Sequence, residues 1–238
     1  MTDQQNSVSQ NELNNNVSAK GQLGANRSVR FEGKEGGLRL LCVGNSITWH
    51  GYKPDIGWYG DWGMAASAKE KDYVHRLADM LSEQYGDVEL CIAQLAEWER
   101  GYAQGPALLE EKWNEAREFA ADIVVIRLGE NMKRDAAPAC KPDFAKMIQY
   151  FLKNEHALVV VSDDFWHNDV RDGMIREIAE ENGYLFCKIS DLEEDPRTMA
   201  IDEYEHRGVG LHPSDYGMEL IAQRLFDVIV KKFDEKRK

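Results

Sequence analysis

Three polar side chains with the chemistry of acyl transfer stand at the ends of predicted elements. Ser46 follows the apolar run at residues 38–43, Asn131 follows the run at 122–128, and His212 lies in the loop before the last predicted helix. A serine can act as nucleophile, a histidine as its general base and later general acid, and an asparagine amide as a donor to the oxyanion. We therefore predict Ser46, His212 and Asn131 as a catalytic set.

Ordinary structural roles exist for two of these residues. Ser46 could cap a helix, because serine is a favoured N-cap residue. His212, followed by Pro213 and Ser214, could mark only a turn that leads into a capped helix. The occurrence of all three residues in one chain favours the catalytic interpretation, and capping would not prevent Ser46 from acting as a nucleophile.

The elements that must position these residues alternate along the chain. Five short, nearly continuous apolar runs predict buried parallel strands, at residues 38–43, 88–93, 122–128, 157–162 and 184–189. Between and after them, apolar stripes of helical period predict helices at 70–84, 142–153, 168–182 and 215–233. This alternation predicts an α/β fold, a three-layer α/β/α sandwich with about five parallel strands and right-handed crossovers. Ligands of such sheets bind beyond the carboxyl ends of the strands.

The order of the motifs resembles that of the SGNH subgroup of GDSL-type esterases and lipases. Gly-Asn-Ser ends at Ser46, Gly-x-Asn ends at Asn131, and His-Pro begins at His212. The resemblance extends from Leu38 to the C-terminus. It implies a flavodoxin-like sandwich and metal-free ester hydrolysis through an acyl-serine intermediate, often on acetylated carbohydrates or lipids.

Three positions depart from the family pattern. Asn45 stands where the first motif usually has aspartate, and Met132 replaces the aspartate that usually follows Asn131. The acid expected three residues before His212 is replaced by Val209. We favour a Ser-His dyad, in which a backbone carbonyl near Val209 accepts the imidazole N–H. Alternatively, a carboxylate could reach in from a neighbouring loop, the candidates being Asp191, Asp202, Glu205 and Asp215.

The second oxyanion donor is not identified by the sequence. In the family it is usually a glycine amide in the loop after the second strand. The residue nearest that spacing here is Glu97 or Trp98. A backbone N–H from a residue other than glycine can serve if its dihedral angles permit.

An aromatic loop follows Ser46 directly. It holds five rings within 14 residues, namely Trp49, Tyr52, Trp58, Tyr59 and Trp62. These rings could stack on sugars or wall an acyl pocket, or they could pack the loop on itself.

The acidic loop with Asp163, Asp164, His167 and Asp169 has no recognised coordination spacing, so we predict neither a metal nor a cofactor.

Composition restricts the class of partner. Residues 1–36 are polar and predict a flexible tail before a single domain at 37–238. The net charge of −13 argues against binding to nucleic acid or an anionic membrane. The absence of an apolar leader and the use of cysteine within strands predict a cytoplasmic protein. The expected partner is a small-molecule acyl ester, and nothing in the sequence indicates an oligomeric state.

The leading functional hypothesis is therefore a serine esterase that hydrolyses small acyl esters, acetyl esters first, with carbohydrates as one class of substrate. The same residues could transfer the acyl group to an acceptor alcohol. A non-catalytic carbohydrate-binding module on the same fold is the alternative from another class, and the missing acid at Val209 is the feature that favours it.

Overall fold

The computed structural model describes residues 28–102, 106–133 and 137–236, and these residues form six strands, seven α-helices and four short 3-10 helices. The strands are β1 (Val29–Gly33), β2 (Leu38–Gly44), β3 (Val88–Gln94), β4 (Ile123–Arg127), β5 (Leu158–Ser162) and β6 (Leu185–Cys187). The helices are α1 (Tyr73–Tyr85), α2 (Ala96–Gly101), α3 (Pro106–Glu118), α4 (Ala137–Phe151), α5 (Asp169–Asn182), α6 (Arg207–Gly210) and α7 (Asp215–Lys236).

The strands form one sheet in the order β1-β3-β2-β4-β5-β6. All five predicted strands are present, and β2 to β6 are parallel. Numbered by themselves in chain order, these five lie in the order 2-1-3-4-5, which is that of flavodoxin-like sheets. The predicted α/β class and flavodoxin-like order are confirmed.

Strand β1 corrects the expected boundary of the domain. It lies within residues 1–36, the segment expected to be a tail, yet it pairs antiparallel with β3 from Val29 opposite Ala93 to Gly33 opposite Glu89. The sequence analysis missed it because an edge strand buries few of its side chains, and here Val29 alone is fully buried. Residues 1–27 lie outside the described residues.

Two apolar cores cover the two faces of the sheet. Alternate side chains of β2 enter different cores, since successive residues of a strand point to opposite faces. Leu41 and Val43 pack with side chains of α3, α4 and α5. Leu40 and Cys42 pack with side chains of α1 and α7. The sheet is therefore the middle layer of three, as predicted, and its parallel strands are buried on both sides.

The register of the sheet sets where the candidate site is built. Gly44, the last residue of β2, lies opposite Gln94 at the end of β3 and Arg127 at the end of β4. The three connections that follow therefore leave the same edge side by side. Strand order reverses between β2 and β4, which is the switch point where open α/β sheets bind ligands.

The helices and the cysteines can be compared with what the sequence predicted. Of the helices in the described part of the chain, none is long and apolar enough to cross a membrane. Cys42, Cys91 and Cys187 are buried within strands, as expected of small core side chains.

Candidate active site

A tight turn after β2 presents Ser46. The Asn45 carbonyl accepts hydrogen bonds from the N–H groups of Thr48 (3.0 Å) and Trp49 (2.9 Å), which reverses the chain directly after the strand. A Cβ atom at Gly44 would overlap the hydroxyl of Thr48, so the turn requires glycine there. Ser46 is partly exposed while its neighbours on both sides are buried. The turn thus holds one hydroxyl at the open edge of the sheet.

Ser46 and His212 are brought together by the fold. Ser46 Oγ lies 2.8 Å from His212 Nε2, and His212 Nδ1 lies 2.8 Å from the carbonyl oxygen of Gly208 in α6. Because a carbonyl can only accept, Nδ1 carries the proton of the neutral ring and Nε2 is the acceptor for the serine hydroxyl. This is the tautomer that a general base needs, and it is held by backbone rather than by a carboxylate.

The surroundings of His212 keep its ring neutral. Burial lowers its pKa to about 4, the positive charge of Arg127 and the nearby His50 act in the same direction, and the Gly208 carbonyl opposes them only in part. The ring of Trp166 meets the imidazole edge to face at 5.2 Å between centroids. Trp166 is itself held by a hydrogen bond from its Nε1 to the Leu211 carbonyl (3.1 Å). Contacts with Trp166 and with the Gly208 carbonyl therefore fix the position of the His212 imidazole.

The carboxylates proposed as alternative partners of His212 lie elsewhere. Asp191 pairs with Arg224, and Asp215 accepts hydrogen bonds from Ser67 and Lys71. The other two candidates, Asp202 and Glu205, have exposed side chains. The geometry is that of a Ser-His dyad with a backbone carbonyl behind the histidine. The catalytic roles of its members stay predictions.

Asn131 is held at the same edge by a buried glutamate, Glu99 of α2. Asn131 donates from Nδ2 to Glu99 Oε2 (2.6 Å) and from its backbone N–H to Oε1 (3.2 Å), and Gly129 N–H also donates to Oε1 (2.8 Å). Arg100 donates to Asn131 Oδ1 (3.2 Å). An amide nitrogen has two N–H groups, so one remains that could reach an oxyanion. The oxyanion role of Asn131 also stays a prediction.

Asn45 links this glutamate to a buried ion pair. Its Nδ2 donates to Glu99 Oε1 (3.2 Å) and to Glu130 Oε2 (2.6 Å), while its Oδ1 accepts from Arg127 (2.5 Å). Glu130 forms an ion pair with Arg127. The amide at position 45 thus bridges two carboxylates and one cation.

The electrostatics of the cluster explain why asparagine replaces the usual aspartate. Burial and then the neighbouring Glu130 carboxylate raise the pKa of Glu99. For Glu130 burial acts to raise the pKa, but the charge of Arg127 and hydrogen bonds from Arg127 and backbone N–H groups together lower it. An aspartate at position 45 would add a third carboxylate and could not donate to the other two. Asparagine suits position 45 because its uncharged amide donates a hydrogen bond to each of the two glutamates.

The segment expected to supply the second oxyanion donor begins α2. Leu95 N–H donates to the Gly44 carbonyl at 2.6 Å, which joins the start of this helix to the end of β2. Glu97 and Trp98 lie in the first turn of α2, so the sequence expectation falls at a helix N-terminus beside the serine turn. The geometry does not choose between their amides.

The structure divides the aromatic loop into two sets. Trp49 and Trp58 are buried, and each indole N–H is bound within the loop, to Asp61 (2.8 Å) and to the His50 carbonyl (3.0 Å) respectively. The tryptophans therefore pack the loop on itself. The second set consists of two tyrosines whose side chains are exposed, Tyr52 (57% exposed) and Tyr59 (69% exposed).

The acidic loop after β5 has structural partners instead of a metal arrangement. Asp163 accepts hydrogen bonds from Ser190 N–H (3.1 Å) and Oγ (2.8 Å), and Asp164 forms an ion pair with Arg171. Within the ranges that the structure describes, no group of three or more His, Cys, Asp or Glu side chains is arranged to hold a metal ion.

Sequence reasoning missed Glu99, whereas it expected a backbone carbonyl near Val209 behind His212, and the structure places the Gly208 carbonyl there. Glu99 lies in "AEWERG", which reads as a short solvated helix, yet it is only 1% exposed. A backbone carbonyl leaves no signature in residue type, although the lack of an acid at Val209 pointed to one nearby. The contact of Trp166 with His212 was also missed, while the side chain of Trp98 packs in the core against Phe144.

Comparison with known proteins supports this reading of the fold. Neither family models nor characterised protein sequences match this chain. Among solved structures, a two-domain esterase active on acetylated mannans superposes with a TM-score of 0.54 at 15% identity, covering 82% of this chain and 49% of that one. The chain thus spans about half the length of that esterase.

Two shorter structures match over nearly their whole length. An acetyl xylan esterase has a TM-score of 0.53 at 16% identity, with coverage of 80% of this chain and 99% of that one. A structure assigned as a GDSL-like lipase, from Parabacteroides merdae ATCC 43184, also gives 0.53 at 16% identity, with coverage of 81% and 95%. At this identity the likeness establishes the fold. The chain has the fold of the SGNH/GDSL-type hydrolases, as its motifs implied.

Proposed function

We propose that the protein is a serine esterase that hydrolyses small acyl esters, acetyl esters in particular, with acetylated carbohydrates as the favoured class of substrate. The observation that carries the proposal is the 2.8 Å contact between Ser46 Oγ and His212 Nε2 at the switch point of the sheet. The acetylated mannans and xylans named for two structures of the same fold support the substrate class.

The chemistry follows from the protonation state of the dyad. Ser46 Oγ attacks the ester carbonyl while its proton passes to His212 Nε2, and the carbonyl oxygen becomes an oxyanion. Asn131 Nδ2 and backbone N–H groups at the start of α2 are the donors that would stabilise that charge. His212 then protonates the leaving alcohol. A water molecule, deprotonated by the same imidazole, attacks the acyl-serine and releases the acid.

The missing carboxylate has a consequence for the rate of this reaction. In a well-studied serine protease, disturbing the aspartate behind the histidine costs roughly 10⁴ in turnover, mainly because the tautomer is wrong. Here Gly208 maintains the tautomer without supplying a negative charge. The imidazolium formed during attack is therefore less stabilised, and we expect a modest turnover that still depends on both residues.

Hydrolysis of p-nitrophenyl acetate tests the proposal directly. Wild-type protein should release nitrophenol, and Ser46→Ala and His212→Ala should each lower kcat/KM by at least about 10³-fold. Ser214→Ala is a suitable control, because this serine caps the start of α7 two residues beyond His212. Equal rates for wild type and both dyad variants would contradict the proposal.

Two alternatives use the same site. An acyltransferase would give more transfer product than hydrolysis when an acceptor alcohol is added. A non-catalytic carbohydrate-binding module would bind an acetylated sugar but would not react with a fluorophosphonate, which labels only an activated serine. Labelling of Ser46 would therefore count against the binding module.

A further inference from the structure

A polar groove lies beside the dyad, and the mechanism does not use it. Its volume is about 500 Å³, within the range of roughly 300–1,000 Å³ for small-molecule sites. One wall is residues 49–55 of the aromatic loop, and the other includes Gln94 at the end of β3 and Glu97 at the start of α2. Neither Ser46 nor His212 lines it.

The groove nevertheless lies next to the reacting centre. Gln94 is the register partner of Gly44, two residues before Ser46. On the other wall is His50, which is near enough to His212 to help lower the pKa of that ring. An ester bound at Ser46 would therefore have the groove as one direction in which the alcohol part could extend.

One exposed aromatic ring lines this groove, and a second lies beside that ring. Tyr52 lines it and is 57% exposed, and Tyr59 is 69% exposed with its ring 5.9 Å from that of Tyr52 at an angle of 58°. Large apolar rings left open to water as a pair commonly indicate a binding surface. A tyrosine ring offers an apolar face with a hydroxyl at its tip, which suits the mixed apolar and hydroxylated surface of a sugar.

The charges of the groove are paired within the protein. Lys53 Nζ lies 2.9 Å from Asp55 Oδ2, and Glu97 Oε2 lies 2.5 Å from Lys112 Nζ. The groove can therefore form hydrogen bonds with the hydroxyl groups of a ligand. Its lysine, Lys53, is already paired and is not available to bind a carboxylate or sulfate of the ligand. The net charge of −13 also repels polyanions at long range.

We propose that this groove binds the sugar chain of a neutral acetylated oligosaccharide, with Tyr52 and Tyr59 as a stacking platform. The proposal rests on the esterase function above and specifies its substrate as an uncharged glycan longer than one sugar. The groove places the sugar chain on the β3 side of Ser46, between the aromatic loop and the start of α2.

The experiment compares three substrates on the full chain. These are p-nitrophenyl acetate, an acetylated manno-oligosaccharide, which is neutral, and an acetylated oligogalacturonide, which is anionic. We expect wild-type protein to favour the neutral oligosaccharide over the anionic one in kcat/KM. Tyr52→Ala and Tyr59→Ala should each raise KM for the neutral oligosaccharide roughly two- to tenfold, which is the size expected for loss of one aromatic stacking contact. The ratio of its kcat/KM to that of p-nitrophenyl acetate should fall accordingly.

Phe31→Ala is the matched control, because Phe31 is an aromatic residue on β1 that is 47% exposed, does not line the groove and has its ring beside Phe119 (5.7 Å) instead of beside Tyr52. It should leave the ratio unchanged. Equal losses on the oligosaccharide and on p-nitrophenyl acetate in the tyrosine variants, no loss on either, or preference for the anionic substrate would each overturn the groove proposal. Ser46-dependent hydrolysis of p-nitrophenyl acetate would still stand in those cases, so failure of the groove and failure of the esterase function are distinct results.

Discussion

Replacement of Asn45 by aspartate would restore the usual first motif of the family, and the structure predicts that it destabilises this protein. Asn45 is 1% exposed, and its Nδ2 donates to Glu99 Oε1 at 3.2 Å and to Glu130 Oε2 at 2.6 Å. Aspartate has the same shape but no donor when ionised. The substitution would bring a third carboxylate against two others, with Arg127 as the cation beside them.

The magnitude follows from the contacts that are lost. Hydrogen bonds to charged groups contribute roughly 1.5–3 kcal/mol each, so two of them amount to about 3–6 kcal/mol. The contact of Oδ1 with Arg127 is retained and offsets part of the loss. We expect Asn45→Asp to lower the free energy of unfolding by about 3 kcal/mol at pH 8. The loss should be smaller at pH 5, because repulsion raises a carboxyl pKa in the folded state, and a proton bound there restores a donor.

Urea unfolding at both pH values measures this effect. The double variant Asn45→Asp/Glu99→Gln provides the control, because glutamine removes one charge and supplies an N–H to the new aspartate. It should be more stable than the sum of the two single losses by at least about 1 kcal/mol. If Asn45→Asp unfolds like wild type at pH 8, or if the double variant shows no favourable coupling, the account of this cluster is wrong.

Three further predictions concern the dyad, the edge strand and the serine turn. The acid limb of kcat/KM against pH should have its midpoint near 4, since neutral His212 is the base and burial lowers its pKa to about 4; a midpoint near 6.5 would contradict this. The second prediction concerns His75 of α1, which is hydrogen-bonded to Glu32 of the edge strand β1. Burial lowers the pKa of His75, but hydrogen bonds to Asp72 and Glu32 raise it to about 9. The stability from this raised pKa is complete below about pH 6.5 and is lost as pH rises through 9, and urea unfolding of His75→Gln should show a weaker pH dependence over that interval. Gly44→Ala should lower the free energy of unfolding by roughly 1–3 kcal/mol through overpacking against Thr48, and a thermal melt equal to that of wild type would refute it.

Much of the sheet could be predicted because its signal is local. A strand buried on both faces needs an unbroken apolar run, and β2 to β6 each carry one. Strand β1 has no such run, because it forms the edge of the sheet and only Val29 among its residues is fully buried. Its place depends on pairing with β3, a partner distant in the chain, so its own residues do not reveal it.

The candidate site shows the same division between local and tertiary information. Residue types and their positions at strand ends were enough to indicate Ser46, His212 and Asn131, because parallel strands deliver their carboxyl ends to one edge. Their partners could be predicted only in part, since the sequence indicated a backbone carbonyl near Val209 for His212 but gave no sign of Glu99. Residue type does not show which backbone carbonyl lies behind His212, and Glu99 is buried only because donors from two separate loops, after β2 and after β4, converge on it.

The sequence by itself thus determined the layered α/β fold and the side chains gathered at the open edge of its sheet, since apolar periodicity and strand order are written in neighbouring residues. Only the tertiary structure decided which group orients the histidine, why residue 45 is an amide, and which rings of the aromatic loop face solvent. Each of these depends on contacts between segments far apart in the chain, and burial of a polar group is stable only where such contacts satisfy it.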